Sequence, residues 1–350
     1  NTLHFGIQRL DEILEKVHKE KLTSIPGEEI FKLYDTYGFP TDLVEETAKD
    51  AGLEMDMAGY EKAMQEQKVK AAASWKGSSE KEVAPFYKEF VQNSPPTQFD
   101  GYKSTEGEAT VLAILKHGTK IDSAKIGESI DILVDRTPFY GESGGQVGDS
   151  GNAFNDGAQI ELLDSTKPLP GLIVHKGKVL EGSIATGDSL TMQINKPNRQ
   201  ETALNHSATH LLHAALKEVL GEHIKQAGSL VASDRLRFDY THFSPLTEKE
   251  RGRIEALVNK KIRENIQITT KEMEIEDALK EGAMALFGEK YGDRVRVVSV
   301  PGFSKELCGG THVSATGDIG LFRIISEGSI ASGVKRIEAV TGDTAYKKVH

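Results

Sequence analysis

The chain has one cysteine among 350 residues. A disulfide within the chain is therefore excluded, and a lone thiol fits a reducing cytosol. Long hydrophobic runs are also missing: no apolar stretch approaches the roughly 20 residues that span a bilayer. No secretory signal is visible at Asn1, where the chain starts inside what reads as a helix. That start suggests a piece of a larger protein, cytoplasmic rather than membrane-bound. Positive charge is not in excess. The formal net charge of -10 argues against a nonspecific nucleic-acid binder and leaves room for local basic patches. Repeats and low-complexity tracts are absent. So are a P-loop, a dinucleotide fingerprint and the H-E-x-x-H pattern of metalloproteases.

What is present points to an α+β protein of several domains. Hydrophobic residues make up 38% and charged residues 27%, enough for cores under a soluble surface, and the length suggests two or three domains. Residues 1–94 read as helical. Ile7, Leu10, Ile13, Leu14 and Val17 recur at helical spacing. Pro26 with Glu28 and Glu29 suits a helix start, Gly38-Phe39-Pro40 a break, and Met57–Lys76 a charged third helix. Asn93-Ser94-Pro95-Pro96 reads as a linker. Residues 95–197 then carry short β-type runs (Ala109–Leu115, Ser129–Val134, Leu190–Ile194) between turns, which predicts a small β-barrel ended by Pro197. Residues 198–350 alternate helix and strand: a helix through His206 to Gly221, strands at Leu230-Val231 and Arg235–Tyr240, and a helix capped by Thr247 and Glu250. A short helix over Asp277–Tyr291 and strands at Arg294–Val300, Leu321–Ser326 and Arg336–Val340 follow.

Two short motifs carry the chemistry. His206-Ser207-Ala208-Thr209-His210 sets two imidazoles four residues apart on one helix face. Cys308-Gly309-Gly310-Thr311-His312 holds the only cysteine in a Gly-Gly loop. Together they predict one divalent metal site, zinc by the chemistry of imidazole and thiolate. Four ligands make a closed structural shell, whereas a catalytic zinc keeps a position for water or expands its shell; the spacing leaves both open. Ser207 stands where a protease would carry its glutamate base, so peptide hydrolysis is not expected. His213, one turn further, is either a partner behind the ligands or a packing or surface residue. Gln226 offers an amide for a water or a carbonyl, or is an exposed loop residue. The Gly-rich loop Phe139–Asp149 exposes backbone donors around Gly144, Gly145 and Gln146. Lys335, Arg336, Arg323 and the Lys260, Lys261, Arg263 group are either phosphate contacts or solvated charges.

With these residues in view, the chain resembles an internal segment of the alanyl-tRNA synthetases over nearly its whole length. Phe31–Leu43 is similar to the end of that family's helical tRNA-recognition domain. Phe139–Asp149 resembles its editing-domain barrel. The stretches His206–His210, Gln226–Val231, Gly282–Tyr291 and Cys308–His312 resemble the editing core it shares with threonyl-tRNA synthetases. The resemblance implies hydrolysis of the ester in Ser-tRNA(Ala) and Gly-tRNA(Ala). Such a function has a physical reason, since a site sized for alanine separates glycine or serine by only about 1–3 kcal/mol. It implies zinc held by His206, His210, Cys308 and His312, and deacylation that needs Gln226. It further implies tRNA contacts from Asp42, which matches an acidic residue reading the G·U pair of the acceptor stem, and from the Gly144-Gly145-Gln146 loop, Lys335 and Arg336. Lys335 stands where relatives often carry Arg, losing the bidentate fork. The class II aminoacylation motifs are not found, so ATP-dependent charging is not expected of these residues, and a monomer is. Two other readings stay open: a noncatalytic tRNA-binding module with structural zinc, and a small-molecule metallohydrolase.

Overall fold

The first helix, Thr2–Lys19, places Leu10, Ile13 and Val17 on one face, and these meet Ile30 and Leu33 of helix Gly27–Tyr37 and Val44 and Ala48 of helix Thr41–Asp50. The computed structural model describes residues 2–20, 22–37, 41–64, 85–285, 291–331 and 333–349, and the chain divides into two units, Asn1–Glu82 and Val83–His350. Glu28 and Glu29 lie in the first turn of their helix as expected. A short parallel pairing of Ser24–Ile25 with Glu54–Met55 ties the helices together, an element too brief for periodicity to reveal. Helical backbone continues over 57–64. The rest of the expected Met57–Lys76 helix and the Gly38-Phe39-Pro40 break lie outside the described residues.

The second unit opens with helix Pro85–Asn93 and then forms the expected barrel. Six antiparallel strands close on themselves in the order Ala158–Leu169, Gly151–Asn155, Ser189–Ile194, Glu106–Lys116, Ser129–Val134, Leu172–Ala185 and back to the first. Val111, Ile132, Ile160, Val179, Leu190 and Met192 fill it. A bulge between Val111 and Ala113 changes the parity of its strand. Val111 and Ile114 therefore face inward, while Ala113 and Leu115 receive Phe86, Tyr87, Phe90 and Val91 of the Pro85–Asn93 helix. Pro197 does not end the barrel. The last strand stops at Ile194, Asn195 caps the next helix by accepting from the Asn198 N–H, and Pro197 sits in that helix's first turn.

That helix, Lys196–Leu220, runs buried between the barrel and the remaining α+β layer. A four-stranded sheet in the order Gln226–Val231, Leu236–Thr241, Val334–Thr341, Phe322–Ala331 backs it. Phe238, Tyr240, Ile337 and Ile324 of this sheet pack on Leu211, Leu212, Ala215 and Leu216 of the long helix, and on Ile254 and Val258 of helix Glu248–Arg263. The Thr247–Glu250 capping box is present as expected. A separate three-stranded sheet, Thr269–Glu274, Arg294–Val300 and Ser304–Leu307, delivers the chain directly to Cys308. The expected Asp277–Tyr291 helix is only Ile275–Lys280. It stops because Gly282 takes a left-handed conformation, φ 80°, and 286–290 lie outside the described residues.

Candidate metal centre

The long helix carries a stripe of Arg199, Ala203, His206, His210 and His213, each three or four residues from the last. Its first member anchors the stripe to the barrel. Buried Arg199 donates through Nε to Asp149 at 2.9 Å, through Nη1 to the Gly101 carbonyl at 2.8 Å and through Nη2 to the Pro138 carbonyl at 2.9 Å. Asp149 also accepts from the Tyr140 N–H at 2.6 Å. Both charges are thus paired and hydrogen-bonded, the condition under which burial is tolerated.

Two turns along, His206 and His210 meet Cys308 and His312. Their ligand atoms all lie within 4.8 Å of one another. Cys308 Sγ is 3.4 Å from His206 Nε2 and 3.3 Å from His312 Nε2. Zinc bond lengths of about 2.0–2.1 Å to nitrogen and 2.3 Å to sulfur place tetrahedral S and N ligands about 3.5 Å apart, so these two edges fit such an ion. Burial pushes the pKa values of His206, His210 and His312 down; neighbouring imidazoles (His210 beside His206, His213 beside His210, His206 and His210 beside His312) lower them further, while Glu306 offsets part of this at His206 and His210. The imidazoles are therefore neutral, the form that ligates.

His206 and His312 each have a hydrogen-bonding partner on the other nitrogen, the arrangement typical of metal-binding histidines, and His210 faces a carboxylate at longer range. His206 Nδ1 lies 2.7 Å from Gln146 Oε1. His312 Nδ1 lies 3.1 Å from Ser207 Oγ, which also accepts the Val313 N–H at 3.1 Å. His210 Nδ1 lies 4.0 Å from Glu306. Glu306 is 3% exposed, and its carboxyl is held below the usual range. Burial alone would raise it, but His210, the His213 hydrogen bond and the Ser304 hydroxyl outweigh that. His213, for which surface exposure was one expectation, is buried instead, with Nδ1 3.1 Å from Glu306 and its ring against Phe238.

The Cys308 loop is held from outside as well. Arg296 donates to the Cys308 carbonyl at 2.8 Å and the Gly310 carbonyl at 3.0 Å, and its guanidinium lies 4.2 Å from the centre of the Tyr102 ring. The Tyr102 hydroxyl donates to the Gly309 carbonyl. A Cβ on Gly310 would lie 2.0 Å from His206 Cε1, so this position admits only glycine without displacing a ligand. Beside the cluster lies an open cleft of about 710 Å³ walled by His312, Thr311, Tyr102, Arg296, Thr270 and Lys196.

The other residues singled out by sequence lie at several places. Gln146 joins the cluster. Gly144 and Gly145 have φ of 58° and 81°, and Gly145 packs against Ser229. Gln226 opens its strand opposite Tyr240 and is half-buried, and no hydrogen bond joins it to the four ligands among the described residues. Tyr240 in turn pairs with Lys335, a buried lysine donating to Ser329 Oγ at 2.7 Å. Arg336 forms a fork with Asp239, at 2.7 and 2.8 Å. Asp42 lies in helix Thr41–Asp50, with its side chain outside the described residues. Glu306, Arg296 and Tyr102 lie outside both motifs. Glu306 carried one signal, an acid in the short run Ser304–Leu307 just before the Cys loop.

Residues 1–198 match the family described as tRNA synthetases class II (A), and residues 295–338 match the threonyl and alanyl tRNA synthetase second additional domain. An alanine–tRNA ligase of Desulfosudis oleivorans is 49% identical over 341 residues, 97% of this chain and 39% of the relative. One of Rhizorhabdus wittichii is 48% identical over 354 residues, 98% of this chain and 40% of the relative. The chain thus spans about two fifths of the curated relatives it matches. From these matches, which run through the helices, the barrel and the Cys308 strand alike, the chain belongs to the alanyl-tRNA synthetase family.

Proposed function

We propose that this chain hydrolyses the ester of tRNA(Ala) wrongly charged with serine or glycine, using a site built on one zinc ion. The observation that carries this reading is the His206, His210, Cys308 and His312 cluster with His312 on the wall of an open cleft. A cleft beside neutral imidazoles and a thiol suits an ester at the end of a longer substrate. Bound there, zinc would supply Lewis-acid polarisation of the ester carbonyl. The chain's own residues do the rest. His206, His210, Cys308 and His312 hold the ion. Arg296 and Tyr102 fix the Cys loop, and Gln226 positions water or the substrate carbonyl. Asp42, Gly144, Gly145 and Arg336 belong to the tRNA-facing parts of this reading, whereas Gln146 and Lys335 are buried, against His206 and Ser329 respectively, and support the site from within. Cys308 is assigned to ligation and not to nucleophilic attack. The partner is tRNA(Ala), and the setting is the cytoplasm.

The test is a deacylation assay on Ser-, Gly- and Ala-tRNA(Ala), with zinc measured in the same sample. Release of serine and glycine well ahead of alanine is expected, with loss of both in Cys308→Ala. Faster hydrolysis of Ala-tRNA(Ala) would sink the reading. A second reading draws on the same cluster: four protein ligands complete a tetrahedral shell. On that reading the ion is structural and the chain only binds tRNA; tight tRNA binding without any deacylation is its signature.

A further inference from the structure

We infer that Gln146, at the tip of the barrel's Gly-rich loop, is a positioning residue that sets the tautomer of His206 and so aims its Nε2 at the metal. The inference rests on reading the four-residue cluster as a metal site.

Gln146 is fully buried, and its amide orientation is fixed by chemistry rather than by choice. Oε1 accepts the backbone N–H of Thr311 at 2.8 Å, and Nε2 donates to Thr311 Oγ1 at 2.9 Å. A backbone N–H can only donate. Turning the amide over would set NH₂ against that N–H. Oε1 is therefore the atom facing His206 Nδ1 at 2.7 Å. An amide oxygen can only accept, so Nδ1 carries the proton. In a neutral imidazole the other nitrogen then bears the lone pair, and it is Nε2 that lies 3.4 Å from Cys308 Sγ.

The loop is built to hold this one side chain. Val231 N–H donates to the Gly145 carbonyl at 2.7 Å, and Val147 N–H donates to the Val231 carbonyl at 3.0 Å. Gln146 is thus gripped on both sides by the edge of the four-stranded sheet. Gly145 has φ of 81°, and a Cβ there would lie 2.9 Å from Ser229. Opposite, a Cβ on Gly310 would lie 2.8 Å from Gln146 Oε1. The glycines flanking the contact let two backbones close around the amide. The barrel thereby contributes to the metal centre without supplying a ligand.

The test compares the full chain with Gln146→Leu, which keeps the bulk and removes the acceptor, and Gln146→Glu, which keeps an acceptor oxygen. Zinc alone is titrated against a chromophoric chelator. Two-bond proton–nitrogen spectra of ¹⁵N-histidine-labelled, metal-free protein report which His206 nitrogen is protonated. The expected results are Nδ1–H in the wild type, zinc affinity lower by about 10–100-fold in Gln146→Leu, and recovery in Gln146→Glu. Wild-type affinity in Gln146→Leu overturns the inference. So does equal loss in both variants, the mark of a merely structural role. If Gln146→Leu does not fold, the wild-type spectrum decides, and an Nε2–H His206 overturns it. A wild type that takes up no zinc defeats the metal reading instead, and the same spectrum still decides the tautomer.

Discussion

His175 lies wholly inside the barrel, with Nδ1 2.9 Å from Ser165 Oγ, and Nε2 has no hydrogen-bond partner among the described residues. Burial pushes its pKa from 6.5 down to about 3. Between those values the unfolded chain takes a proton that the folded barrel refuses. Stability is therefore fully present above pH 6.5 and falls as acid is added, by about 2 kcal/mol at pH 5 from this group alone. Urea unfolding at pH 7 and pH 5 should show the loss, and His175→Leu should shrink the difference by about that amount, with the buried His206, His210 and His312 of the metal-free chain contributing the remainder. Nothing in the sequence distinguished His175 from the other histidines, because burial is a property of the closed sheet. The candidate ligands were legible for the opposite reason. His206 with His210, and Cys308 with His312, announce themselves by spacing that survives any fold. Glu306 and Gln146 reach the same site from a strand and a loop that only tertiary structure brings there. Gln146 could be read as a loop donor, but its contact with His206, 60 residues on, could not.

At the scale of elements, strongly patterned segments were readable and polar edges were not. Arg294–Val300 alternates and is buried between two neighbours, and it reads directly as a strand. Its neighbour Thr269–Glu274 is almost wholly exposed. A sequence of Thr, Lys and Glu on an edge has no apolar face to betray it. The Asp277–Tyr291 helix was extended too far because its apolar residues Ala283, Met284 and Leu286 continue past Gly282 in a pattern that the turn there interrupts. The helix that matters most is joined to the barrel by a buried charge. Arg199→Leu would leave Asp149 buried with only backbone donors, at a cost of about 3–5 kcal/mol. Adding Asp149→Leu should recover part of that loss, because the stranded charge goes with it. Denaturant midpoints of the two single variants and the double variant check this, and a double variant less stable than Arg199→Leu would contradict it.

For the whole molecule, the division into Asn1–Glu82 and Val83–His350 separates a helical unit from the one that holds all four candidate ligands. Zinc at a hundred times its dissociation constant should add about 2.7 kcal/mol to the second unit. Amide hydrogen exchange with and without chelator should show slower exchange in the barrel and core strands and no change in Leu10–Val17. Cys308→Ser should abolish the difference. Protection rising equally in both units would show that the ion acts elsewhere. The broad layout, helices followed by a barrel and an α+β layer, was legible because each part repeats a different period. The two strands that close the barrel were not, since Ala158–Leu169 and Leu172–Ala185 are long strands interrupted by Lys, Asp, Pro168 and Gly177.

One consequence follows from the stripe on the long helix. Arg199 and His206 are seven residues apart, two turns, so barrel anchor and ligand pair point the same way. The helix therefore works as a phase gauge: it transmits an angle, and the angle is counted in residues. One alanine inserted between Thr202 and Ala203 would rotate His206 and His210 by about 100° relative to Arg199 and advance them by about 1.5 Å. No ligand would be lost from the sequence, yet the barrel and Cys308 would face a different strip of the helix. Zinc per chain should fall to near zero in that variant. Retained stoichiometric zinc would mean that the helix end re-registers on the barrel more easily than the three Arg199 hydrogen-bond partners, Asp149, Gly101 and Pro138, suggest.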